Sequence, residues 1–180
     1  MKKLILVGGD LASGKSTFSN LLGEKYNILV INKDNLKEIL GDRIIARDRD
    51  ENKKLSVISF DLICYILKKN KGTVLMESNF KPYEMEELER LTKELNYDVL
   101  SYVLKGDNKI LHKRFIDRLD EKRHYVHKSQ DFTNIDDFVN TLEELRSVKY
   151  LGKVVNIDSS TFDYQYDKKY TDILEEFLNK

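Results

Sequence analysis

The 180-residue chain has one cysteine, one proline and no excess of either charge, with 31 Lys and Arg against 31 Asp and Glu. A lone thiol, Cys64, excludes an internal disulfide and fits a reducing compartment. Its place in an apolar helical pattern predicts a buried, structural role. Zero net charge removes any general pull toward nucleic acid or acidic membranes, so a polyanion site would have to be a local patch. The opening Met1-Lys2-Lys3 imitates the basic start of a signal peptide. The apolar run Leu4 to Val7, however, stops at Gly8-Gly9, far short of the apolar region such a peptide needs. No segment reaches the length of a membrane span. These absences predict a cytoplasmic protein without a membrane partner, and nothing in the composition points to an oligomeric state.

The chain does have an ordinary globular balance, 41% apolar and 34% charged, at a length that suits one domain over residues 1–180. Short apolar runs alternate with helical periods. Leu4 to Val7, Ile28 to Ile31, Thr73 to Met76, Val99 to Leu104 and Val154 to Ile157 read as strands. Helices are expected over Ser16 to Lys25, Asn35 to Leu40, residues 51–69, from Pro82, and over 107–119, 135–147 and 167–178. In the 51–69 helix, Leu55, Ile58, Leu62 and Ile66 share one predicted apolar face. In the Pro82 helix, Met85, Leu88, Leu91 and Leu95 do. Wholly apolar strands separated by helices imply an α/β fold, a five-stranded parallel sheet covered on both faces. Ligands bind such sheets beyond the carboxyl ends of the strands.

After the first strand comes Gly9-Asp10-Leu11-Ala12-Ser13-Gly14-Lys15-Ser16, which fits the phosphate-loop pattern G-x-x-x-x-G-K-[ST]. A glycine-rich turn into a helix start aims backbone N–H groups and the helix dipole at one point. Lys15 is placed to reach the β- and γ-phosphates of a nucleotide, and the Ser16 hydroxyl to coordinate Mg²⁺. Asp10 has no evident role.

The motifs of a GTPase are missing: no DxxG occurs, and Asn32-Lys33-Asp34-Asn35 carries its aspartate one place too early for NKxD. The lid domain and Asp-Glu strand end of a ring ATPase are also missing. What remains has the layout of a phosphotransferase. Asp34, just after the second strand, would orient a substrate hydroxyl and accept its proton, or would cap the short helix behind it. Glu77, at the end of the third strand, would hold Mg²⁺ through water or touch the acceptor. Ser78 and Asn79 would join it or cap the Pro82 helix.

The stretch 112–128 carries six Lys and Arg against three Asp and Glu. Arg118 and Arg123 suit a lid closing on the transferred phosphate, whereas Lys113 and Lys122 suit a solvated helix face. His124 and His127 lack the companions a zinc site needs.

These segments resemble a family, the small bacterial P-loop kinases of the zeta-toxin-like, chloramphenicol phosphotransferase-like and polynucleotide kinase-like group. "GGDLASGKST", "INKDNLKEIL", "VLMESNF", "RFIDRLDEKRHYVH" and "VVNIDSS" occur in the family's order. The resemblance implies a three-layer P-loop NTPase fold with sheet order 2-3-1-4-5 and a small lid near 114–133. It implies ATP and Mg²⁺ held by Gly9, Ala12, Ser13, Gly14, Lys15, Ser16 and Thr17. It also implies an acceptor at Asp34, Arg118 and Arg123 in the lid, and Arg114 with Asp158, Ser159 and Ser160 near adenine. Tyr125 stands where the family has proline. The expected activity is transfer of the ATP γ-phosphate to a hydroxyl of a small molecule. The alternatives are a polynucleotide 5′-hydroxyl kinase, with nucleic acid as acceptor, and a non-catalytic ATP-binding regulatory module.

Overall fold

Strand β1 (Lys2–Gly9) shows how the residues choose their layers. Successive side chains of a strand point to opposite faces, so Leu4 and Leu6 enter one apolar cluster and Ile5 and Val7 another. Both faces of the strand are therefore buried, and helices must cover both. The computed structural model describes residues 2–119, 124–127 and 132–180.

The chain continues through α1 (Lys15–Tyr26), β2 (Leu29–Asn32), α2 (Lys33–Gly41), α3 (Arg49–Lys69), β3 (Thr73–Glu77) and α4 (Pro82–Leu95). Then come β4 (Tyr97–Lys105), α5 (Asn108–Asp117), a 3₁₀ turn at Tyr125–His127, α6 (Ile135–Arg146), β5 (Lys153–Asp158), a second 3₁₀ turn at Asp163–Tyr166 and α7 (Lys168–Asn179). The five strands are all parallel, in the order β2-β3-β1-β4-β5. This is the expected sheet, in the expected order. No helix among the described residues is long and apolar enough to cross a membrane.

Short polar caps punctuate the helices. Asp48, Asp107, Asn134 and Asp167 each accept a hydrogen bond from an amide in the first turn of the helix that follows, and Asn27 and Asn96 close α1 and α4 in the left-handed conformation. Packing on one face of the sheet comes from α3 and α4, and on the other from α1 and α7. A smaller cluster joins α5 to α6 through Leu111, Phe115, Phe132, Phe138 and Leu142.

The face of α3 differs from the expected one. Ile58 and Leu62 are partly exposed, while Phe60, Ile63, Cys64 and Leu67 are buried with Leu55. Apolar residues run nearly all round this helix, so periodicity alone picked a stripe rotated from the one that meets the sheet. Buried Ser59 marks the true face, because its hydroxyl is satisfied by the Leu55 carbonyl at 2.7 Å. The α4 face is as expected, with Met85, Leu88 and Leu91 buried.

Candidate active site

Strand register sets three strand ends level. Val7 pairs with Glu77, and Glu77 with Asn32. Beyond them the chain leaves β1 at Gly9, whose φ of +118° is a conformation that glycine alone enters freely. A Cβ there would strike the Leu104 carbonyl on β4, and Asp10 N–H donates to that carbonyl at 2.8 Å. Ala12 and Gly14 also have positive φ, and a Cβ on Gly14 would meet the Tyr164 hydroxyl. The first intrahelical bond of α1 is donated by Phe18 to Gly14, leaving the amides of Lys15, Ser16 and Thr17 without helical partners.

Lys15 is buried, and its ammonium donates to the Asp10 carbonyl at 2.6 Å. Burial pulls its pKa down, against the opposing pull of the Glu77, Asp34 and Asp10 charges. The cleft at the loop, of about 170 Å³, is lined by Leu11 through Thr17 with Asp34, Glu77, Asn79, Phe115 and Arg118. Free amides, a buried cation and backbone positions that admit no Cβ fit a bound polyphosphate.

Glu77 is the last residue of β3 and is buried. Its carboxylate accepts from the Ser16 hydroxyl at 3.1 Å and from the Asn32 side-chain amide. Burial pushes its pKa up, against the Lys15 charge. Adjacent hydroxyl and carboxylate oxygens are the hard donors that Mg²⁺ takes, so Ser16 and Glu77 fit that ion.

Asn32 was not singled out by sequence reasoning, although Asn at a strand-to-helix junction is a capping signal. Its Oδ1 accepts from Asn35 N–H at 3.0 Å and caps α2, while its Nδ2 holds Glu77. Asp34 therefore does not cap the helix, contrary to that alternative. It stands exposed in the first turn of α2 with no hydrogen-bond partner among the described residues. It lines the phosphate cleft, a neighbouring cleft of about 240 Å³ and the open space next to Ser16, Glu38, His124 and His127.

The α4 helix is likewise capped elsewhere. Lys81 N–H donates to the Glu84 carboxylate at 3.1 Å, so neither Ser78 nor Asn79 caps it. The Asn79 side-chain oxygen is buried without a partner among the described residues, and the residue lines both principal clefts.

The two arginines of α5 diverge. Arg118, at its C-terminal cap, lines the phosphate cleft. Arg114 instead donates to the Ser159 and Ser160 carbonyls at 2.6 and 2.8 Å and stacks on the Phe162 ring, 4.0 Å from its centroid. Asp158 accepts from Ser160 N–H at 2.9 Å, and the Ser159 hydroxyl is buried with no partner among the described residues. Arg114 of α5 thus holds the loop that begins after Asp158 at the end of β5, and the 3₁₀ turn beyond that loop packs on the phosphate loop through Tyr164, whose hydroxyl donates to Ser13 O at 3.0 Å. Arg123 and Lys122 lie outside the described residues.

Two histidines of the arginine-rich stretch, His124 and His127, face carboxylates on and beside α2. His124 meets Asp42 at 3.1 Å and His127 meets Glu38 at 2.8 Å. Asp10 also has a partner that sequence reasoning missed. It is fully buried and bound by Arg146 of α6, with Nη2 to Oδ2 at 2.6 Å and Nε to Oδ1 at 3.0 Å, and by Gly106 N–H at 3.1 Å. Arg146 lies 136 residues away, so no local signal joins the two.

The sheet order and the loop define a P-loop α/β protein. More narrowly, residues 4–145 match the AAA domain family, and the chain belongs to it. No curated protein matches the chain. Several solved structures share the fold over nearly their full length. A protein of Chloroflexus aurantiacus, provisionally called a kinase, is 22% identical with a TM-score of 0.76, each chain covered to 97%. A shikimate kinase of Bacteroides thetaiotaomicron is 14% identical, with a TM-score of 0.63 and 99% of both chains covered. A gluconokinase of Sinorhizobium meliloti is 16% identical, with a TM-score of 0.60 and 99% and 94% covered.

Proposed function

We propose that the protein is a kinase that moves the γ-phosphate of ATP to a hydroxyl of a small-molecule acceptor, within one domain whose lid spans about 114–133. The observation that carries this reading is Asp34. It is an exposed carboxylate, unpaired among the described residues, that lines the phosphate cleft and its neighbour alike and is kept available because Asn32 does the capping.

In this reading Lys15 exchanges the loop carbonyls for the β- and γ-phosphate oxygens, and the amides of α1's first turn hold the rest of the polyphosphate. Ser16 and Glu77 would hold Mg²⁺, which when bound neutralises charge on the phosphates. Asp34 orients the acceptor hydroxyl in line and takes its proton. Arg118 meets the charge that spreads over the transferred group, and Arg123 assists from the lid. Arg114, Asp158 and Ser159 border the adenine. A narrower placement with the zeta-toxin-like, chloramphenicol phosphotransferase-like and polynucleotide kinase-like group rests on the ESNF strand end and the spacing of Arg114, Arg118 and Arg123. That a gluconokinase and a shikimate kinase share the fold supports a small acceptor.

The test is transfer of labelled phosphate from ATP to a panel of small hydroxyl compounds, with Asp34→Asn in parallel. Transfer should fall by roughly 10²- to 10⁴-fold in the variant, while affinity for a non-hydrolysable ATP analogue holds. Unchanged transfer in Asp34→Asn would remove the base assignment. ATP binding with no transfer to any acceptor would favour a regulatory module.

A further inference from the structure

The cleft beside the phosphate loop is unevenly charged. Among the described residues, five that line it are cationic, Lys33, Lys37, Arg49, Lys53 and Lys81, and Asp34 is the one carboxylate. Two of the five are neutralised locally, Lys33 by a buried ion pair with Glu84 and Lys53 by Asp50 at 3.0 Å. The other acids near Arg49 are also engaged. Asp48 accepts the Asp50 and Glu51 amides, and Glu51 pairs with Arg47 at 3.0 Å.

Lys37, Arg49 and Lys81 remain, and none has a carboxylate within ion-pair distance among the described residues. The Lys37 ammonium makes only a 3.3 Å bond to the Val126 carbonyl. Burial lowers its pKa, the Asp34 charge opposing this and the Lys33 and Lys81 charges adding to it. A partly buried cation with no ion-pair partner among the described residues, beside two more cations, is costly by itself and favoured by a bound anion. At about 240 Å³ the cleft has room for roughly eight water-sized groups, which suits a small metabolite and excludes a polymer lying within it. Asn79, with its buried unpartnered oxygen, stands where this cleft meets the phosphate cleft.

We infer that the phosphate acceptor is itself a small anion, a hydroxyl compound carrying a carboxylate or phosphate, seated on Lys37, Arg49 and Lys81. Its reacting hydroxyl donates to Asn79 and lies next to Asp34. This specificity rests on the phosphotransfer reading, but it is tested by binding and so can fail separately.

The experiment titrates full-length protein with matched triples: glycerol, glycerate and glycerol 3-phosphate, and ribose, ribonate and ribose 5-phosphate. Calorimetry is run with a non-hydrolysable ATP analogue present. The expected result is that an anionic member binds at least tenfold more tightly than its neutral parent. That preference should fall by about tenfold in each of Lys37→Gln, Arg49→Gln and Lys81→Gln, while affinity for the ATP analogue stays put. Comparison of the carboxylate and phosphate members identifies which anion is read. Equal binding of neutral and anionic members, no binding of any anion below about 10 mM, tighter binding of a 5′-hydroxyl oligonucleotide, or indifference to all three substitutions each overturns the inference. Anion binding without phosphate transfer from ATP would sink the kinase reading and leave the anion site standing. Transfer to a neutral acceptor alone would do the reverse.

Discussion

Arg146→Met should be among the most damaging single changes outside the apolar core. Asp10 sits inside the phosphate loop at 0% exposure, and three of the four hydrogen bonds to its carboxylate come from Arg146. With Met in that place, the Gly106 amide alone remains to satisfy a buried carboxylate, and the Gly106 carbonyl loses its 2.8 Å bond from Arg146. Removing one partner of a buried pair costs about 3–5 kcal/mol. The Arg146 side chain is 28% exposed, so water can enter from that side, which points to the lower end, about 3 kcal/mol. For a chain of this length that corresponds to a fall in Tm of about 6–12 °C. Asp10→Asn keeps the Gly106 bond and removes the stranded charge, so the double variant Asp10→Asn/Arg146→Met should recover more than about 1 kcal/mol over Arg146→Met. Urea denaturation of all four proteins closes the cycle. A cost below about 1 kcal/mol for Arg146→Met, or additivity within about 0.5 kcal/mol, would refute the claim that this pair fixes the loop.

Three further outcomes follow from single sites. Burial holds the Cys64 thiol up at about 11, so roughly one molecule in a thousand carries the thiolate at pH 8. A thiol reagent should label native protein at least 100-fold more slowly than urea-unfolded protein, the rate rising with pH beyond 8; equal rates would contradict the burial of the inner face of α3. Gly9→Ala should abolish binding of an ATP analogue and lower Tm, because the added Cβ meets the Leu104 carbonyl at a positive φ, and calorimetry showing wild-type affinity would contradict that. Asn32→Ala should cost about 1 kcal/mol in urea melts through loss of the α2 cap, and Asn32→Ser should restore most of it. Equal losses in both would mean that the bond to Glu77, not the cap, carries the effect.

What the sequence disclosed and what it concealed divide along contact distance. The loop, the strand ends and the order of elements are contiguous patterns, so Lys15, Ser16, Asp34 and Glu77 are all legible at their true places after strands. Asn32 was within reach, since an Asn between a strand and a helix is a cap candidate, but its likeness to NKxD drew attention to the wrong feature. The inner face of α3 was hidden because that helix has apolar residues on several sides, and only the sheet it meets decides between them. Asp10 could not be read at all: a lone carboxylate in a phosphate loop makes sense only through an arginine on a helix far along the chain.

That distant partner is part of what holds the loop in shape. Four contacts from separate elements grip it: the Leu104 carbonyl of β4 through Asp10 N–H, Arg146 of α6 through the Asp10 carboxylate, Tyr164 through the Ser13 carbonyl, and the α5–α6 cluster packed on Leu11 and Ala12. Donors fixed in this way need no rearrangement when charge develops against them, which is the condition under which fixed dipoles are most effective. Two further side chains line the cleft, one carried by α2 and one by the α5–α6 cluster itself. Asp34 rides on α2, whose opening Lys33 is tied to α4 by the buried pair with Glu84. Arg118 follows the last turn of α5, whose Phe115 and Leu111 sit in the α5–α6 cluster. The α5–α6 cluster thus braces the phosphate loop and Arg118 together, while Asp34 reaches the same cleft from α2, which is anchored to α4 and not to that cluster.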